Sequence, residues 1–257
     1  MNSIQEHLPE WRKQTLMQKS VARGFSRSSS SRSSEKCLFV LLLLFVVTSL
    51  CFAAVGADSA NIIFSLDFPS SDPEHYSFTV DSDGHVKYES VARISADSED
   101  RETYHTEFQF SAGTRARIFD LAAQSHYFGG KIDSGNRKIA FTGTKKLTYH
   151  DAGRNNTAEF NYSTVAPVQQ LTVLFQAVAA TLEFGRRLAY YHRYQKLALD
   201  EELKRMEAQA QDNQLAEIQA VEPILREILE DTSVINLDRS HAQRLIDMGK
   251  REEAAAH

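Results

Sequence analysis

One stretch sets the terms for the whole chain: Cys37 to Gly56, CLFVLLLLFVVTSLCFAAVG, carries no charge and is almost wholly apolar. About twenty such residues in helical form cross the ~30 Å hydrocarbon layer of a bilayer, because a helix satisfies its own backbone there. The flanks orient the run. Residues 1–36 hold seven Lys or Arg against three acids, and basic flanks stay cytoplasmic. The chain beyond residue 57 is therefore expected outside the cytoplasm: periplasmic, secreted, or anchored with its body outside. Ala54, Gly56 and Ala57 are small residues where a signal peptidase needs them, which places cleavage just before Ala57 or Asp58. The long leader suits the alternative, an uncleaved single membrane anchor through residues 37–56, while a start at Met17 would bring it to signal-peptide length. Residues 1–36, with their Ser/Arg tract from Ser26 to Ser34, read as a disordered basic leader with nothing to bury.

Both cysteines, Cys37 and Cys51, lie inside the apolar run, so the exported part is expected to hold no disulfide and no cysteine metal site. It keeps twenty-two basic residues against thirty-one acidic ones, a sign that argues against nucleic acid as a partner.

Past the apolar run the hydrophobic period becomes two. Ile62, Phe64, Leu66 and Phe68 alternate with polar or outward positions, the pattern of a strand with one buried face. Tyr76, Phe78 and Val80, then Val86 and Tyr88, continue it around the turn Asp81-Ser-Asp-Gly84, which predicts a hairpin over 75–90. The acidic turn lacks the acid spacing of a calcium loop. Ala96 to Thr103 is expected as a charged loop, and Tyr104 to Phe110 as a further strand. Ser111 can cap a helix with Ile118, Leu121 and Ala122 on its apolar face, ended by Gly129-Gly130. Residues 145–150 and 158–163 predict a second hairpin, with Phe160 and Tyr162 inward, around the turn 151–155.

Pro167 suits a first helical position, and Leu171, Leu174, Phe175, Val178, Leu182 and Gly185 recur at helical spacing, so one face can cover a sheet. No breaker follows Leu188, and an unbroken helix over 168–211 would measure roughly 65 Å. Residues 215–229, restarted at Pro223, and 239–251 supply further amphipathic helices. The expected fold is α+β, an antiparallel hairpin-built sheet with covering helices over residues 58–188, followed by the long helix and an acidic helical extension over 189–257.

The points Phe64-Ser-Leu66, Asp83-Gly84-His-Val-Lys-Tyr88, Ser111 to Phe128 and Pro167 occur in an order that loosely resembles a class of small exported bacterial α+β domains of unknown function, over residues 61–188. That resemblance implies the same fold and location, and it brings no catalytic residues with it.

Chemistry is sparse. No nucleophile elbow, zinc-protease helix, phosphate loop or dinucleotide fingerprint occurs, and no catalytic residue, cofactor or metal ligand is assigned. His105 and Glu107 share one strand face and His150-Asp151 ends another strand; they could form a site if those strands are neighbours, while alternation leaves them facing solvent. Asn155-Asn-Thr157 and Asn161-Tyr-Ser163 have the form of glycosylation acceptors. The most informative cluster is Tyr190, Tyr191, His192, Arg193 and Tyr194, since aromatics and Arg beyond a domain edge favour contact surfaces. The expected function is a non-catalytic envelope binding module that meets a protein partner or a second copy of itself through its C-terminal helices. The alternative is a periplasmic or secreted hydrolase or metal-dependent enzyme with a site on the sheet.

Overall fold

The computed structural model describes residues 59–95, 98–136 and 138–255. The apolar run, the leader before it and the cleavage point lie outside the described residues. Among the described residues no helix is long and apolar enough to cross a membrane.

The strands are β1 (Asn61–Asp67), β2 (His75–Asp81), β3 (His85–Arg93), β4 (Arg101–Gln109), β5 (Thr144–Asp151) and β6 (Arg154–Phe160). They pair antiparallel throughout, in the order β4-β3-β2-β1-β5-β6. The period-two pattern decides which face is covered. Ile62, Phe64, Leu66, Phe78, Val80, Val86, Tyr88 and Leu147 are buried, and the alternate positions are left to solvent. The β2–β3 turn closes through the Gly84 amide on the Asp81 carbonyl at 2.8 Å, with Gly84 at φ +92°, the left-handed region that favours glycine.

Helix α1 (Ala112–Gln124) starts at Ser111, whose hydroxyl accepts from the Thr114 amide at 3.2 Å, and buries Ile118, Leu121 and Ala122. It stops short of Gly129-Gly130 because His126, Tyr127 and Phe128 all take positive φ in a left-handed turn. That turn drops Phe128 into the core and lays the Tyr127 ring 4.6 Å from Tyr149.

Helix α2 (Ala166–Tyr194) is the central element. Phe175 stacks on Phe64 at 4.9 Å and nearly parallel, and Leu171, Val178 and Leu182 cover the sheet beside it. Its sequence does not run on as one rod to residue 211. Gln195 leaves helical geometry, the 195–198 segment turns, and α3 (Leu199–Gln211) returns antiparallel, with Arg187 bonding Glu202 and Phe184 lying under Arg205. The cause is burial: Leu199, Leu203 and Met206 form an apolar stripe that a projecting rod would leave in water, and all three are buried in the folded-back helix. A 3-10 turn (Ile218–Val221), α4 (Glu222–Glu230) and α5 (Asn236–Ala255) complete this outer layer, with Pro223 in the first turn of α4. A continuous apolar cluster runs from Ile62 on the sheet to Ile246 on α5.

Three expectations are corrected. Arg101, Glu102 and Thr103 belong to β4 rather than to a charged loop, because Arg101 pairs with Glu74 at 3.2 Å and Glu102 reaches Arg186 at 3.0 Å. The second hairpin is tighter: Asp151 pairs directly with Arg154, so β6 begins at residue 154 and ends at Phe160. Tyr162 therefore lies beyond the strand and is largely exposed, with its hydroxyl accepting from Gln169 at 2.8 Å. Gly185 does not face the sheet. It faces the outer layer, where an added Cβ would overlap Val221 Cγ1 and stand 3.0 Å from Val221 Cβ.

Gly185→Ala must therefore push the 218–221 turn off α2. Overpacking of this kind costs about 1–3 kcal/mol, and urea unfolding followed by circular dichroism should show the midpoint falling by a corresponding amount. A midpoint unchanged from wild type would mean that α2 and the outer layer are not in close contact there.

Candidate interaction surface

The midsection of α2 is enclosed on all sides, which puts Glu183 and Arg186 in the interior. Glu183 accepts from Tyr88 at 2.9 Å and Ser90 at 2.6 Å with one oxygen, and from Arg186 Nε at 2.8 Å with the other. Arg186 also donates to the Arg93 carbonyl at 2.7 Å and to Glu102 at 3.0 Å. Burial, reinforced by the Glu183 charge, pushes the Tyr88 hydroxyl pKa well up, so it stays a donor. Apart from the half-exposed Glu102 the network is buried, and removing one member of the Glu183–Arg186 pair costs about 3–5 kcal/mol. Its chemistry is structural.

The histidines and carboxylates of the strands do not converge. β4 and β5 are separated by three strands, so His105 and His150 stand about 19 Å apart at ~4.8 Å per strand spacing. His105 meets Glu89 at 3.4 Å and Glu107 meets His85 at 3.2 Å, all on the open face. Asp151 turns to its own hairpin, accepting from the Gly153 amide at 2.8 Å and from Arg154 at 2.9 Å. Among the described residues no three His, Cys, Asp or Glu side chains are grouped as a metal ion would require.

The cluster at the end of α2 divides. Tyr191 is buried, and His192 Nε2 lies 2.9 Å from Asp231 in the outer layer. Tyr190 packs against Tyr194 at 5.2 Å, and the Arg193 guanidinium sits 5.3 Å above the Tyr194 ring. Lys196, in the turn that follows, donates to Asp231 at 2.6 Å and to Ser233. These bonds bring the α2–α3 turn against the α4–α5 turn, so four helix ends gather at one junction. The apolar groups left outside it are conspicuous: Tyr194 is 63% exposed, Leu197 98%, Ile235 59% and Leu237 49%. Sequence reasoning placed Tyr194 here and missed the other three. Leu197 lies in the 195–198 turn, which no local residue announces, and Ile235 and Leu237 are brought near only by the fold-back.

The junction has its own electrostatics. Lys196 foremost, then the Ser233 hydroxyl and amide and His192, holds the Asp231 carboxyl far below the usual carboxylate range. No protein-family model matches this chain, and no curated protein matches it in sequence.

A carboxyl with a lowered folded pKa stabilises the fold while ionised, so its contribution is complete well above its ordinary value of 3.8 and is lost as pH falls below that value. The stability gap between wild type and Asp231→Asn should therefore be largest above about pH 5 and shrink on acidification below it, as read by urea titrations across pH. A gap independent of pH would show that the ionised carboxylate does not hold the junction.

Proposed function

We propose that this chain is an exported, non-catalytic interaction module that docks a protein through the junction where α2 turns into α3 and α4 into α5. The observation that carries the reading is the set of Tyr194, Leu197, Ile235 and Leu237, apolar and exposed beside an ion-paired, ordered turn. Exposed apolar groups gathered on a rigid support mark contact surfaces, whereas single ones do not. The apolar run at 37–56, with its basic flank, supports export and either a cleaved leader or a single anchor. The acidic outer layer, which holds fourteen acids against seven bases over residues 200–257, suits a partner that is neutral or basic around the apolar contact. The hydrolase alternative draws no support from the open sheet face, whose His and Glu pairs lie apart.

A photo-crosslinking residue placed at Leu197 or Ile235 in the full chain in its native cells tests this. Both positions are expected to give a defined adduct, of twice the chain mass for a second copy and of another mass for a different protein. A crosslinker at Val173, exposed near the other end of α2, should give none. Absence of an adduct from both junction positions, or an equal yield at Val173, would overturn the reading.

A further inference from the structure

Between α2, α3 and the loop after β1 lies a cavity of about 450 Å³, within the range of small-molecule sites. Phe184, Ala179 and Ala180 form an apolar wall, and Tyr76, Arg93, Arg187 and Arg205 reach it from four separate elements. The fold-back of α3 creates this space by laying Arg205 and Gln209 opposite Phe184 and Gln176.

The polar groups here are left with unused donors. Arg187 commits Nε to Glu202 at 2.7 Å, and Arg205 commits one terminal nitrogen to the same carboxylate. Arg93 commits Nε to Asp72 at 3.4 Å. The other guanidinium nitrogens of all three, and the side-chain amides of Gln176 and Gln209, have no partner among the described residues. Tyr76 is the sharpest case. Its ring is only 5% exposed, wedged between Phe64 at 6.1 Å and Phe78 at 6.0 Å, and its hydroxyl makes no hydrogen bond among the described residues. The hydroxyl is not sealed in the interior, so it opens onto the cavity with its donor unused. Burial also pushes its pKa up, so it donates across the physiological range.

The carboxylates near the cavity are already engaged. Glu183 serves Tyr88, Ser90 and Arg186, and Asp72 serves the Arg93 amide and Nε. Glu202, itself buried, is shared by Arg187 and Arg205, so that pair of guanidinium groups keeps one positive charge locally, while the balancing carboxylate, Glu102, joins Glu183 on Arg186. A low-dielectric wall strengthens that charge, and a guanidinium fork matches the two oxygens of an oxyanion.

We propose that this cavity binds a small organic oxyanion, with its charged group on Arg187, Arg205 and the Tyr76 hydroxyl and its apolar body against Phe184 and Ala180. The site is separate from the junction surface, so substituting Leu197 leaves it intact and the two readings can fail independently.

Isothermal titration of the full chain with benzoate, phenyl phosphate and inorganic phosphate, against chloride at equal ionic strength, provides the test. Saturable binding of benzoate or phenyl phosphate is expected, tighter than inorganic phosphate, and the stronger of the two identifies carboxylate or phosphate as the preferred group. Benzyl alcohol, which has the ring without the charge, should not bind. Tyr76→Phe keeps the packed ring and Arg205→Gln changes a half-exposed side chain, so both should fold, as circular dichroism checks; each should weaken binding about tenfold or more, the loss of one hydrogen bond to a charged group. No saturable binding of either organic anion overturns the proposal, and so does unchanged affinity in either folded variant.

Discussion

The buried contact between Glu183 and Arg186 is the constraint on which the rest of the molecule depends. Charges in an interior are tolerated only when all their hydrogen-bonding capacity is met, and here it is met by two adjacent strands: Tyr88, Ser90 and the Arg93 carbonyl on β3 and Glu102 on β4. The pair therefore fixes the rotation of α2 over the sheet as well as its position along it. Aromatic stacking of Phe175 on Phe64 and Phe78 supplies burial; the ion pair supplies register. With α2 held at that angle, Thr181 and Gly185 point away from the sheet, where Thr181 donates to the Ala216 carbonyl at 2.8 Å and Gly185 admits Val221. The outer layer has one place to dock.

A second set of carboxylates does similar work at the far side. Glu217, buried and at φ 58°, accepts from both the amide and the hydroxyl of Ser111 at 3.0 and 2.7 Å, so the start of α1 is tied to the outer layer. Glu252 on α5 in turn accepts from the amides of Glu217 and Ile218 at 2.9 and 3.3 Å. Acidic side chains at the amide-rich starts of helical turns satisfy groups that have no intrahelical partner. Much of the extension's negative charge thus serves its own folding, and the junction and the cavity both arise from a layer locked in place by these contacts.

The sheet, α1 and the start of α2 were legible in the sequence because each is specified locally. Alternation from Ile62 to Tyr88, the Ser111 cap and Pro167 signal structure within a few residues of themselves. The end of α2 was not legible, since nothing near Gln195 breaks a helix; the chain turns there because Leu199, Leu203 and Met206 find burial only by coming back. Nothing near Glu183 and Arg186 in the sequence announces their burial, since their partners lie about ninety positions earlier. The interaction surface was half visible: aromatic composition marked Tyr190 to Tyr194, whereas Leu197, Ile235 and Leu237 acquire meaning only when two distant turns meet. The oxyanion cavity left no local trace, because its donors come from β2, β3, α2 and α3.

Strand β1 occupies the middle of the sheet and is laced on both sides over its full length, to β2 and to β5, seven residues each. It is also the first regular element of the described chain. Tension arriving from the N-terminal side would load two antiparallel ladders in shear at once instead of peeling an edge strand one hydrogen bond at a time. A pull from that side thus meets two seven-residue ladders together rather than one.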